Sequence, residues 1–173
     1  MFRPFLLTVA LMTTASPATA SIEQLQSPPD APAQEVEAAQ DEIRTGFEHA
    51  RASELADAAK DFDTAIQSPG FAGVPENLRY QTLLASGQIA SQDKRYDAAL
   101  DLLKQATASD DADGDAWQSR FSAAYALQDY ADSARSTLML AKHWPDKLDQ
   151  IDDSAIYQLN AYFEGNKGQG RLQ

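Results

Sequence analysis

The sequence predicts an all-α fold, and three observations support this prediction. From about Val36 onward, alanine, leucine, glutamine and charged residues dominate, whereas β-branched residues are sparse. No useful length of chain alternates between apolar and polar residues, as a half-buried strand would. Apolar residues instead recur at the spacing of an amphipathic helix, for example over residues 96–106. We therefore expect residues 36–164 to form one helical domain.

Residues 1–20 have the layout of a secretory signal peptide. They contain one cation, an apolar run over Phe5–Met12 and the small residues Ala18–Ala20. A charged start, an apolar centre and a small-residue end are typical of a segment that is removed after export. The apolar run is too short to stay as a membrane anchor. We expect cleavage after Ala20 and a periplasmic or secreted mature protein.

The next segment, residues 21–35, contains three prolines and little apolar material. Such a composition cannot bury enough apolar surface to offset the entropy of ordering the chain. We therefore expect a disordered linker between the cleavage site and the helical domain.

The chain is strongly acidic and contains no cysteine. It has 14 Lys and Arg residues against 26 Asp and Glu residues, a net charge of −12. Residues 1–20 contain Arg3 and no acid, so the remainder has 13 cations against 26 acids and a net charge of −13. This surface repels nucleic acid and anionic lipid, and neither is an expected partner. Without cysteine, neither a disulfide nor a lipid anchor on a cysteine can form, and packing alone must stabilise the domain.

Three segments of the helical domain align on one another. Each contains a small residue, then an alanine 12 residues later, a large apolar residue after a further 4, and an alanine after a further 3. The aligned residues are Gly46, Ala58, Phe62 and Ala65, then Gly87, Ala99, Leu103 and Ala106, then Ser122, Ala134, Leu138 and Ala141. The shift is 35 residues between the second and third segments and 41 between the first and second. The extra length of the first shift lies in a Pro- and Gly-rich stretch, residues 68–77.

These spacings describe pairs of antiparallel helices in close contact. A small residue on each helix lets the two backbones approach where they cross. The large residue, one turn further along the second helix, fills the space beside that crossing. The last alanine lets the next pair stack against it. One pair cannot bury its apolar face alone, whereas a stack of pairs can.

The pattern resembles the tetratricopeptide repeat family. Tyr96 precedes Ala99 as the family's tyrosine does, and Pro69 and Pro145 follow the second helix of the first and third segments. Trp117 lies one position early for the family's tryptophan. The resemblance implies an α-solenoid of about three repeats, at residues 39–69, 80–111 and 115–146.

A terminal helix is expected to cap the open end of this stack. Ser154 can cap a helix over residues 152–164, which contains apolar residues for packing. We expect residues 165–173 to form a disordered tail.

The stretch from Ser109 to Arg120 raises the question of a calcium loop, because it contains several acids around Gly114. With that glycine in its EF-hand position, the twelfth position is Arg120, a cation where a bidentate acid is required. We therefore interpret the stretch as a turn, with Asp113 or Asp115 near a helix N-terminus.

No sequence pattern points to an enzyme, a metal site or a cofactor. The two histidines, His49 and His143, lie in different segments, and there is no cysteine to join them at a metal. Glycine-rich phosphate loops after a strand and the serine-hydrolase motif are absent from the sequence. We therefore expect a non-enzymatic protein without a cofactor.

In the tetratricopeptide family, the first helices of the repeats line a concave groove that binds peptides or helices. The resemblance implies groove residues Gln40, Ile43, Phe47, Gln81, Leu84, Gln88 and Ser119, with Arg44, Arg51 and Arg120 near the rim. Phe47 and Leu84 can equally well be packed under a neighbouring helix.

The implied function is an exported scaffold that binds a protein or peptide in this groove and contributes to cell-envelope assembly. The identity of the partner stays open. Two alternatives also stay open: a carrier of a small ligand near Phe47 and Leu84, and a homo-oligomer that associates through Tyr157 and Tyr162.

Overall fold

The computed structural model describes residues 33–109 and 112–166. The α-helices are α1 (Ala33–Arg51), α2 (Leu55–Gln67), α3 (Glu76–Gln92), α4 (Tyr96–Ala106), α5 (Gly114–Ala126), α6 (Tyr130–His143), α7 (Pro145–Leu148) and α8 (Asp153–Asn166). A 3-10 helix, Pro69–Gly73, lies between α2 and α3. These ranges contain no β-strand, which confirms the predicted all-α class.

The helices pack in adjacent pairs, α1 with α2, α3 with α4, and α5 with α6. Each pair is joined by the same tight turn. Its central residue is Ser53, Lys94 or Gln128, with φ angles of 65°, 60° and 60°. A backbone hydrogen bond of 2.9 Å closes each turn, and the donor amide is always the residue after the left-handed one. The turns therefore give an unambiguous register between the pairs.

This register corrects the alignment of the third segment. The left-handed residues are 41 and then 34 residues apart, not 41 and 35. The residue equivalent to Ala58 and Ala99 is therefore Ser133, which is fully buried, rather than Ala134, which is half-buried.

The other expected packing residues of the third pair are displaced in the same way. Ser122 and Ala141 are exposed, and Leu138 is 70% exposed. By the register of the turns, the places of Ser122 and Ala141 are taken by Phe121 and Leu140, which are 4% and 0% exposed. The place of Leu138 falls on Thr137, which is half-buried. A one-residue error rotates a helical position by about 100°, which is enough to turn a core residue toward solvent.

In the first two pairs, the small and large residues meet at the helix crossing. A Cβ atom on Gly46 would lie 2.6 Å from the Phe62 ring, and one on Gly87 would lie 2.7 Å from Leu103 Cγ. Both large side chains are fully buried, and so are the aligned alanines, Ala58, Ala65, Ala99 and Ala106. Glycine is therefore required at both crossings to let the helices approach.

The stretch over residues 68–77 packs against α1. A Cβ atom on Gly70 would lie 2.0 Å from the Glu35 carbonyl oxygen, so the two backbones are in direct contact. Val74 is 2% exposed and belongs to the same apolar cluster as Ile43.

The predicted linker, residues 21–35, is too long at its end, because α1 begins at Ala33. The rest of the linker and the predicted signal peptide lie outside the described residues.

Asp113 caps α5, as the turn interpretation expects. Its Oδ1 accepts hydrogen bonds from the amides of Asp115 at 2.9 Å and Ala116 at 3.1 Å. These bonds satisfy two of the amides that have no partner inside the helix. Residues 110–111 of the same acidic stretch lie outside the described residues.

The last helix, α8, is capped by Asp152 and not by Ser154. The Asp152 Oδ1 accepts a hydrogen bond of 2.7 Å from the Ser154 amide. The hydrogen bonds from Ser154 hold the pKa of the Asp152 carboxyl below its usual value. The helix runs two residues beyond the predicted end, to Asn166, so the predicted tail is shorter; residues 167–173 lie outside the described residues.

Helices α7 and α8 cover the third helix pair. Ile151, Ala155 and Leu159 are buried in one cluster with Trp117 and Phe121 of α5. Leu140 of α6 lies in this cluster too. No helix in the described ranges is long and apolar enough to cross a membrane.

Candidate functional site

The predicted groove is largely closed at the first helix pair. Ile43 is only 1% exposed, and Phe47 is half-buried with its ring edge against Phe62, at a centroid distance of 4.9 Å. Val74 and Phe71 of the 68–77 stretch belong to the same cluster as Ile43 and Phe47. Ile43 is therefore a core residue, because the inserted stretch covers the face on which the groove was predicted.

The polar groove residues of the first pair lie on the surface. Gln40 is half-buried, and Arg44 and Arg51 are exposed. Arg44 pairs with Asp41, one turn earlier on α1, at 3.0 Å. An exposed pair of this kind has little effect on stability.

Between the second and third pairs, the predicted groove forms a polar strip. Gln88 on α3 donates a hydrogen bond of 3.2 Å from Nε2 to Ser119 Oγ on α5, so these two predicted groove residues are neighbours. Gln81 is exposed, whereas Leu84 is half-buried against the clusters on either side. The strip is neutral and mostly polar, and it offers no large apolar anchor.

Arg120 is a buried structural residue rather than a rim residue. It is 6% exposed and forms an ion pair with Asp132 of α6, with a hydrogen bond of 2.8 Å from Nε to Oδ2. Its Nη1 donates to Thr107 Oγ1 at 2.7 Å, and its guanidinium lies over the Trp117 ring at 5.2 Å. Burial by itself would raise the pKa of the Asp132 carboxyl, but the hydrogen bonds and charge of Arg120 outweigh it and hold the pKa below its usual value.

The large apolar side chains exposed in the described ranges are all on α6 and α8. They are Leu138, Tyr157 and Tyr162, with exposed fractions of 70%, 74% and 43%. A groove of about 770 Å³ runs between the two helices. Its apolar walls consist of Ala131, Ala134, Leu138, Met139, Ile156, Leu159 and Phe163. We call this surface the α6–α8 groove.

The sequence of α6 distinguishes it from the equivalent helices α2 and α4. By the register of the turns, the position of Leu138 corresponds to Lys104 on α4 and to Asp63 on α2. Both equivalents are charged and only half-buried, as is usual on a helix face that meets solvent. Only the third of these helices places a large apolar side chain at this position.

The charged residues that line the α6–α8 groove are cations of α6. Arg135 and Lys142 line it on that side, and both are exposed. The α8 residues that line it, Ile156, Leu159, Asn160 and Phe163, are uncharged. Two cations beside an apolar groove stand out in a chain whose net charge is −12.

Sequence reasoning missed this groove because it placed Leu138 in the core. Two signals were present in the sequence. Trp117 lies 34 residues after Leu83, the usual repeat length of the family. The same shift puts Leu138 in register with a lysine, Lys104, instead of with Leu103.

A second cluster of ionisable side chains joins α1 to α2. His49 Nδ1 lies 2.6 Å from Asp61 Oδ2, and its Nε2 lies 3.8 Å from Glu54 Oε2. The hydrogen bond to Asp61 raises the pKa of His49 above 6.5. In residues 33–109 and 112–166, no group of three or more His, Cys, Asp or Glu residues is arranged to hold a metal ion.

Comparison of the chain with protein-family models, with curated proteins and with solved structures gives no match.

Proposed function

We propose that this chain is an exported interaction scaffold of tetratricopeptide-like helix pairs, and that it binds one helix of a protein partner in the α6–α8 groove. The observation that carries the proposal is Leu138, a leucine that is 70% exposed in an apolar groove. An exposed apolar groove with polar edges is characteristic of a protein-binding site. The 34-residue shift between the second and third turns supports the repeat interpretation.

The shape and charge of the groove favour an amphipathic helix as its occupant. Such a helix would insert side chains at helical spacing between α6 and α8 and continue the helix packing of the domain. Acidic residues along the side that faces Arg135 and Lys142 would complement those two cations. The polar strip around Gln88 offers mostly polar contacts, so we assign it no primary role.

The residues that precede the domain indicate where this binding takes place. The signal-like segment, residues 1–20, favours action outside the cytoplasm, in the assembly of a complex of the cell envelope. No cofactor or catalytic group takes part in the proposed function. The chain contributes shape, apolar surface and charge.

The proposal is tested by photo-crosslinking in the producing cells. A photoreactive residue replaces Leu138 in one variant, Asp63 in a second and Gln88 in a third. Asp63 is the matched control, because it occupies the equivalent position on the equivalent helix of the first pair. We expect one dominant adduct from position 138 and none from position 63 or 88. Mass spectrometry should place the crosslink in an amphipathic helix with acidic residues on one side.

Other outcomes would contradict the proposal in different ways. A dominant adduct from position 88 alone would assign binding to the polar strip around Gln88. A covalent dimer of the chain from position 138 would favour self-association, for which the exposed Tyr157 and Tyr162 on α8 are the specific observation. Absence of any adduct from a folded and exported protein would exclude the groove as a docking surface.

A further inference from the structure

A second cavity, independent of the α6–α8 groove, lies where the inserted stretch meets α3 and α4. Its volume is about 510 Å³, within the range of small-ligand sites in proteins. Ile66, Phe71, Tyr80 and Leu83 form its apolar walls, and its charged lining residues are Arg79 and Glu76. We call it the Arg79 pocket.

The Arg79 guanidinium is poorly satisfied by the protein. Its Nε is buried and has no hydrogen-bond partner in the described ranges. Its Nη1 donates only a long hydrogen bond, 3.4 Å, to the Ala72 carbonyl oxygen. A buried donor without an acceptor is costly, and most such groups in native proteins have a partner. The terminal nitrogens, of which Nη1 is held only by this long bond, keep hydrogen-bonding capacity for an acceptor from outside the chain.

The neighbouring polar groups are already used within the protein. The Glu76 carboxylate accepts a hydrogen bond of 3.0 Å from Ser109 Oγ. The Tyr80 hydroxyl accepts one of 3.3 Å from the Asp113 amide, and burial raises the pKa of this hydroxyl. Arg79 is therefore the side chain whose hydrogen-bonding capacity is left for a ligand.

The pocket exists because of the inserted stretch. Ser68, Pro69, Phe71 and Ala72 form one of its walls. The backbone contact of Gly70 with Glu35 holds this wall on α1. The junction between the second and third pairs has no equivalent, since the shift there is only 34 residues. The insertion thus builds a feature that helix stacking does not need.

We infer that the Arg79 pocket binds a carboxylate attached to a small apolar group. A guanidinium donates two parallel hydrogen bonds to a carboxylate, either from Nε and Nη2 or from Nη1 and Nη2. The Arg79 Nε is buried, so a ligand would meet the two terminal nitrogens, of which Nη1 makes only a long hydrogen bond to the chain. The apolar walls take the uncharged part of the ligand. A single carboxylate suits the pocket better than a phosphate, because the net charge of −12 disfavours anions of higher charge.

Two sources of this ligand are possible, a free monocarboxylic acid and the C-terminus of a peptide. Hexanoate represents the first, and the free acid of N-acetyl-Ala-Ala-Leu represents the second. The corresponding amides, hexanamide and the peptide amide, are matched controls that keep the apolar group and remove the charge.

The test is an NMR titration of the full chain, with the Arg79 Nε–H resonance and the backbone amides of residues 70–74 as readouts. We expect saturable shifts with at least one carboxylate and none with its amide. The carboxylate that binds more tightly identifies the source. Arg79→Gln should weaken binding about tenfold or more, because a hydrogen bond to a charged group is lost. Arg51→Gln, an exposed arginine outside the pocket, should leave binding unchanged.

A second variant tests the pocket without touching the guanidinium. Ala108 lines the pocket and is exposed, so Ala108→Leu should fill part of the cavity and leave the fold intact. We expect it to weaken binding of the same carboxylate. The inference is overturned by absence of saturable shifts with both carboxylates, or by equal binding of carboxylate and amide. Unchanged binding by Arg79→Gln would overturn it as well. None of these outcomes bears on the α6–α8 groove.

Discussion

Leu138 and Leu140 are two residues apart and have opposite environments. Leu138 is 70% exposed beside the α6–α8 groove, whereas Leu140 is fully buried against Trp117 and Phe121. The sequence alignment placed Leu138 in the core, because Ala134 and Ala141 stand at the spacing of the small residues of the first two pairs. The residue that decides the register, Gln128 in its left-handed turn, has no distinctive chemistry in the sequence. The backbone conformation at Gln128 therefore sets the register of the third pair, and the spacing of the alanines does not.

At the same scale, His49 makes stability depend on pH. Its hydrogen bond to Asp61 raises the folded-state pKa above 6.5, the value expected in the unfolded chain. Protonated His49 therefore stabilises the fold fully below pH 6.5, and this stabilisation is lost as the pH rises through the folded-state pKa. We expect the difference in melting temperature between wild type and His49→Gln to shrink as the pH is raised from acidic to alkaline.

Thermal unfolding of both proteins across that pH range measures the effect. The control is His143→Gln, which removes the other histidine of the chain and leaves the His49–Asp61 contact in place. A difference that stays constant with pH, or that grows toward alkaline pH, would contradict the assigned role of His49.

At the scale of the elements, the inserted stretch was the least predictable part of the fold. Its prolines and glycines indicated a loop that holds the extra residues between the first two segments. The structure instead places Val74 against Ile43, and Gly70 against the start of α1. The spacing of apolar residues does not reveal these contacts, because they involve Gly70, which has no side chain, and Val74, which lies outside the helices.

Arg120 connects three helices at this scale. It lies on α5, pairs with Asp132 of α6 and donates to Thr107 at the end of α4. Arg120→Leu would leave the Asp132 carboxylate buried without its partner, so we expect it to lower the free energy of unfolding by about 3–5 kcal/mol. The double variant Arg120→Leu/Asp132→Leu should recover a large part of this loss, since no buried charge remains.

Urea denaturation of the single and double variants measures these changes. The matched control is Lys147→Ala, which removes the partly exposed pair of Lys147 with Asp115. We expect it to cost no more than about 1 kcal/mol. If Arg120→Leu costs as little as this control, the buried pair does not connect the helices as described.

At the scale of the whole molecule, the all-α class and the helix pairing followed from composition and helical spacing. The prolines after α2 and α6 marked the ends of those two helices. The proposed binding surface did not follow from the sequence. The expected concave face proved polar between Gln88 and Ser119 and closed at Ile43. The apolar surface lies at the other end of the chain, where α8 packs on the third pair and leaves part of α6 uncovered. This surface can be recognised only from how α8 packs on the third pair, and the spacing of residues in the sequence does not describe that packing.

On the proposed function, the α6–α8 groove is open in the isolated protein and covered by a partner in the cell. Because the chain contains no cysteine, Leu138→Cys places a single thiol in the groove, and Asp63→Cys places one at the equivalent control position. The measurement is the rate of thiol labelling, in purified protein and in producing cells, with a membrane-permeable reagent. We predict fast labelling of both thiols in purified protein, and in cells fast labelling at position 63 with protection at position 138. Slow labelling at position 138 in purified protein would show that the groove is closed, and equally fast labelling at both positions in cells would show that nothing binds there.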